Sequence, residues 1–195
     1  MNPSPLLLLT EQTPPGADET RLQVRVEGAA ADGPPLAEAL LVAAIGLEVP
    51  RFWFHVGCTV HASATLGLFQ RHRTLLLGND HSGASELVLR AASGTEGAGA
   101  ALQLALQGAL LLLAQRRSRY AERLVAELPG PRVAGGHSPF WAGLVRHFYA
   151  GEPAACAQRL GDDWRSGVAA LLPRQPVYTA FLGAEVQAAI AQVPA

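Results

Sequence analysis

Glu86-Leu87-Val88-Leu89-Arg90-Ala91, then Gly94-Thr95-Glu96-Gly97-Ala98-Gly99, then the run from Ala100 to Tyr120 form the stretch on which the fold turns. The first hexapeptide is a short apolar run with the length of a strand. The last run holds no Pro or β-branched residue and one interior glycine, Gly108. It ends in Arg116, Arg117 and Arg119, cations that suit the negative end of a helix. Leu124 to Leu128 reads as a further strand. Strand, glycine turn, helix and strand in succession predict an α/β or α+β domain, a sheet flanked by helices.

Working outward, Phe52 to His61 is aromatic and β-branched, and Thr74 to Leu77 leads into the turn Gly78-Asn79-Asp80; both read as strands. The expectation is that Phe52 to His61, Thr74 to Leu77, Glu86 to Leu89 and Leu124 to Leu128 lie in one sheet, with the long helix across it. Ala39 to Val49 is a buried strand or a short helix. Residues 1–35 form a Pro/Gly-rich, partly flexible segment with one strand, Leu22 to Val26, and 36–195 form the main domain. Toward the C-terminus, Ser138 can cap a helix whose first turn holds Pro139. Helical patterns follow at Pro153 to Leu160, Trp164 to Leu172 and Gly183 to Val193.

With 195 residues the chain can close one substantial core. Its formal net charge of -1 offers no basic stripe for phosphates, which argues against a nucleic-acid partner. No lysine occurs, which removes Schiff-base chemistry and the Walker lysine. Cys58 and Cys156 lie far apart in no metal-ligand spacing, so no metal is expected, and both read as buried small hydrophobes. Leu6 to Leu9 lacks a cationic flank, and Ala100 to Ala114 falls short of the roughly 20 residues that span a bilayer. A cytoplasmic protein without a membrane partner is the expectation.

Four groups of residues could carry chemistry. The glycine turn from Gly94 to Gly99 opens a helix, so its free amides could face a diphosphate; plain turn glycines would look the same. His137-Ser138 resembles part of a nucleophile elbow but has Pro139 where the turn must be sharp, leaving a small serine hydrolase as a remote alternative. His55 and His61 are an even number apart on one strand and can share a face. Asp80, His81 and Glu86 could form a polar site or a solvated turn.

Several words of the sequence, in fixed order, resemble the arginine N-succinyltransferase family. They include Val56-Gly57-Cys58-Thr59-Val60-His61-Ala62-Ser63, Thr74 to Leu87 around Gly78-Asn79-Asp80-His81-Ser82-Gly83, Ser138-Pro139-Phe140-Trp141, Leu172-Pro173-Arg174-Gln175-Pro176-Val177-Tyr178, and Glu185 to Val193. The resemblance spans about Ala39 to Val193. It implies a GNAT-like acyl-CoA N-acyltransferase fold, succinyl-CoA as donor, and the α-amino group of arginine or ornithine as acceptor. It further places Leu87 or Leu89 beside the pantetheine arm and Gly97, Ala98 and Gly99 at the diphosphate.

Two positions depart from the family pattern. Gly94 stands where the family carries an arginine, and Pro194 stands where it carries its proton-donating histidine. Proline moves no proton, and general acid–base help is typically worth ~10²–10⁴ in rate, so His81 or Tyr178 would have to substitute. The alternative is a non-catalytic subunit. Either way the resemblance implies a homo- or hetero-oligomer with a related succinyltransferase subunit, with Ser138 to Trp141 and Pro173 to Tyr178 as interface words if they face solvent.

Overall fold

A computed structural model describes residues 6–14, 17–29, 33–133 and 135–193, so Pro194 lies outside the described residues. The chain divides into two units, residues 1–47 with 81–127 and residues 48–80 with 128–195.

The first unit is a five-stranded sheet with one long helix. Its strands are β1 (Leu7–Gln12), β2 (Glu19–Val26), β3 (Ala37–Val42), β6 (Ser85–Ala91) and β7 (Leu124–Val125), in the order β1-β2-β3-β6-β7. Pairing is antiparallel except between β6 and β7, which are joined through α1 (Ala98–Gln115) and therefore run parallel. The helix presents Ala101, Ala105, Ala109 and Leu112 at helical spacing, all buried against Leu22, Val24, Ala39, Leu41 and Leu87. Alanines on that face let the helix lie close to the sheet. Gly108 goes further, because a Cβ there would stand 2.5 Å from Leu9 Cδ2. By length and composition α1 is long and apolar enough to cross a bilayer, yet this face is packed on the sheet. Buried Ser85 fixes the start of β6, its Oγ donating to the Ala43 carbonyl at 2.6 Å and accepting from the Ala121 amide at 2.8 Å.

Two strands, rather than the one expected, lie within residues 1–35. β1 pairs with β2 over six residues, from Leu7 opposite Val26 to Gln12 opposite Arg21. Its leucine run has no alternation, so the periodic signal that revealed β2 was missing there. Of Ala39 to Val49, the first four residues belong to a strand, β3, and the remainder follows it as bends and irregular chain.

The second unit holds β4 (Trp53–Ser63) and β5 (Leu68–Gly78), a hairpin paired in register over its whole length, with β8 (Val177–Tyr178) on the far side of β5. Four short helices follow or flank them: α2 (Pro139–Gly143), α3 (Pro153–Leu160), α4 (Trp164–Leu171) and α5 (Ala184–Ala189). Buried Leu77, Val145, Cys156, Val168 and Leu172 form one cluster and Leu75, Leu144 and Ile190 another. Phe140 and Trp141 pack against these clusters, so the first expected interface word is core. Ser138 caps α2 as expected, accepting from the Trp141 amide at 3.3 Å.

The one-sheet expectation is corrected: the four strands fall into two sheets. β5 pairs with β4 and, at Thr74 and Leu75, with β8, while β6 pairs with β3 and, at Ser85 and Glu86, with β7; among the described residues β5 and β6 share no ladder. Cys58 is a second correction, being exposed where Cys156 is buried. It stands opposite Arg73, beyond the stretch where Leu75 and Leu77 are covered.

Candidate functional site

The glycine turn lies between β6 and α1 in the first unit. Gly94 and Gly97 adopt left-handed backbone, φ +70° and +80°, which side chains with a Cβ resist. Gly97 is the residue before the first helical turn; the Ala98 amide is bonded to the Thr95 carbonyl at 3.2 Å and the Ala101 amide to the Gly97 carbonyl at 2.9 Å. The amides of Gly99 and Ala100 belong to the first turn, where no carbonyl one turn back is available. A Cβ added at Gly94, Gly97 or Gly99 would meet nothing within 4 Å, so a ligand can approach this backbone. No acidic residue occupies the helix's first turn, which leaves the positive end of its dipole uncompensated there.

Leu87 and Leu89 lie on β6 opposite Leu41 and Ala39. Leu87 is buried in the core under α1 and Leu89 packs against the same cluster, so their side chains serve the core and only their backbone could run beside a ligand. Arg90 reaches Glu38 at 3.7 Å. At Gly94 there is no side chain to supply a cation.

His81 accepts at Nδ1 from Arg123 Nη1, 3.2 Å away. Guanidinium only donates, so this bond places the ring proton of His81 on Nε2. Glu86 is buried in β6. Asp80 belongs to the second unit, where its carboxylate meets His55 Nε2 at 2.6 Å. The three polar residues grouped by sequence thus have different roles.

On the β4–β5–β8 sheet, His61 Nε2 and Tyr178 Oη are 2.9 Å apart. His72 completes a triangle of rings, with centroids 5.3 Å from His61 and 6.0 Å from Tyr178. Cross-strand register explains it: Thr59 faces His72 and Thr74 faces Tyr178, so the three rings are diagonal neighbours on one face. His55 shares that face of β4, as the even spacing predicts, but stands six residues away, about 20 Å along the strand. Sequence reasoning named His61 and Tyr178 separately and did not join them. His72 was missed, its one signal being its place two residues before Thr74 on a longer strand than expected. Ser138 Oγ is engaged as a helix cap, and the His137 ring lies over Gly135.

A family model described as arginine N-succinyltransferase beta subunit matches residues 31–195. The chain belongs to this family. Arginine N-succinyltransferase from Enterobacter sp. (strain 638) is 37% identical over 153 residues, covering 77% of this chain and 44% of the relative. The protein of the same description from Citrobacter koseri is 36% identical over the same length. This chain therefore spans less than half the length of the curated relatives it matches. Among solved structures, arginine/ornithine succinyltransferase subunit AI from Pseudomonas aeruginosa is similar with a TM-score of 0.68 and 23% identity, covering 93% of this chain and 51% of that one. The fold is thus of the GNAT-like type that the sequence resemblance implied.

Proposed function

We propose that this chain acts in arginine N-succinyl transfer, carrying succinyl from succinyl-CoA to the α-amino group of arginine or ornithine. The observation that carries this reading is the open glycine turn: left-handed Gly94 and Gly97, space around them, and the Gly99 and Ala100 amides in the first turn at the positive end of an 18-residue helix. Gly97, Ala98 and Gly99 would face the donor's diphosphate, with the backbone of Leu87 and Leu89 beside the pantetheine arm. In the reaction a neutral amine attacks the thioester carbonyl, the C–S bond breaks, and the proton lost by the amine balances the one gained by the thiolate. Tyr178, held by His61, and His81, with its proton on Nε2, are the groups available to move it. Residues 36–195 would be the transferase-like part, working in the cytoplasm.

A second reading rests on the proline at the donor position: the chain is then a non-catalytic subunit that assembles with a full-length relative. Assay of the chain alone and mixed with such a relative separates the two.

The donor site is tested by calorimetry with CoA. Weak binding is expected, reduced at least about tenfold by Gly97→Asp and by Ala100→Asp, which set a carboxylate against the phosphates. Ala100→Asp favours the helix itself, because an anion suits its first turn, so loss of binding there is not loss of fold. Equal binding by all three proteins, or none by the parent, overturns the reading.

A further inference from the structure

Phe181 is 85% exposed although it sits in an ordered 3₁₀ turn, Thr179–Phe181, tied down by Thr179 Oγ1 donating to the Arg73 carbonyl at 3.3 Å. Burial does not account for its position. Its ring instead meets the Tyr178 ring edge-on, 5.9 Å between centroids, and extends the triangle of His61, His72 and Tyr178. Four rings therefore converge on one face of the sheet. Between them stands a phenol oxygen that already has one partner, the His61 ring. A phenol oxygen has two acceptor positions and one donor, so whichever way that bond runs, an acceptor position remains on Tyr178.

We propose that His61, His72, Tyr178 and Phe181 form the binding site for a cationic amine, its guanidinium or ammonium group seated against the rings and donating an N–H to Tyr178 Oη. The proposal deepens the acceptor side of the acyl-transfer reading and rests on it for the identity of the amine. The faces of the Tyr178 and Phe181 rings carry negative quadrupole and attract a poorly hydrated cation. The strand neighbours on this face, Thr59, Thr74 and Gln70, are neutral, and Arg71 and Arg73 alternate to the opposite face. No arginine of the hairpin lies on this face. A simple packing cluster would bury its rings, whereas His61 and Phe181 are exposed.

The test is an NMR titration of the histidine side-chain nitrogens with arginine and with citrulline, its neutral counterpart. Saturable shifts confined to His61 and His72 are expected with arginine, and none with citrulline. Phe181→Ala and Tyr178→Phe should each weaken arginine about tenfold, the effect of one cation–ring contact or hydrogen bond, and Phe181→Ala should leave the thermal midpoint unchanged because its ring is outside the core. Equal response to citrulline, unaltered binding by both variants, or no shift at the solubility limit of arginine overturns the proposal. CoA binding measured separately keeps the two readings apart: arginine bound without CoA leaves this site and removes the donor turn, and the converse removes this site alone.

Discussion

Arg116, at the C-terminal end of α1, grips Glu11 of β1 with both guanidinium nitrogens, Nη1 to Oε1 at 2.5 Å and Nη2 to Oε2 at 3.0 Å. The neighbouring cations act on the same region. Arg117 donates to the Tyr120 and Ala121 carbonyls, and Arg119 to the Ala17 carbonyl. The helix ends at Gln115, short of the Tyr120 expected, and its last turn holds no cation; the arginines that looked like complements to its dipole lie just beyond it and are clasps that hold the N-terminal hairpin and the chain after the helix.

The Glu11–Arg116 pair has a pH signature. Hydrogen bonds from Arg116 and then from Thr13 hold the Glu11 carboxyl below its usual value of 4.5. A depressed folded-state value contributes stability that is complete above the unfolded value and is lost as pH falls through the folded one. Amide exchange along β1 should therefore accelerate below about pH 4.5, and Glu11→Gln should flatten that dependence. Both side chains are partly exposed, so the effect is modest and shrinks with added salt.

Leu87 separates core from site. Its side chain is 5% exposed beneath α1, so Leu87→Ala should cost about 2–5 kcal/mol in chemical denaturation. CoA affinity, measured where the variant is still folded, should be nearly unchanged if, as proposed, only the backbone of β6 lies beside the donor. A selective loss of CoA affinity with little loss of stability would contradict this placement.

Gly143 is a contact point between helices. A Cβ there would run into Val186 Cγ2, and a β-branched valine cannot swing aside. Gly143→Ala is expected to destabilise by about 1–3 kcal/mol through overpacking, and Val186→Ala added to it should recover part of that loss. Thermal melts of the single and double variants check it.

Tyr149 should titrate above the ordinary phenol range. The hydrogen bond with Cys156, whose sulfur lies 2.9 Å from Oη, is the main cause, and desolvation adds to it. A raised folded-state value keeps its stabilising contribution below the unfolded value and loses it as pH rises. Cys156→Ala should move the phenolate absorbance of Tyr149 back toward lower pH, whereas an unchanged titration would show that the thiol is not responsible.

What the sequence made legible depended on local signals. α1, α3, α4 and the Ser138 cap were visible because period, proline and capping residues act within a few positions. β1 and β8 were not, since a leucine run without alternation and a two-residue strand owe their state to the partners they pair with. The same holds at the sites: Gly94 and Gly97 announced a turn, but His61 and Tyr178 are separated by 117 positions, and only the β4–β5 and β5–β8 registers together join them. Which strands share a sheet was likewise set by partners distant in sequence, β6 pairing with β3 and β5 with β8.

Each unit is assembled from two stretches of chain that interleave in the order first, second, first, second. During synthesis the β4–β5 hairpin emerges before β6, α1 and β7 exist, so a growing chain must hold that hairpin, with its exposed Phe69 and Val60, while the first unit waits for its central strand. The first unit can close once β7 has left the ribosome; the hairpin gains its helices only after α2 to α5 have followed. Nascent chains arrested after β5 but before β7, with both units incomplete, should therefore be the species most in need of a chaperone.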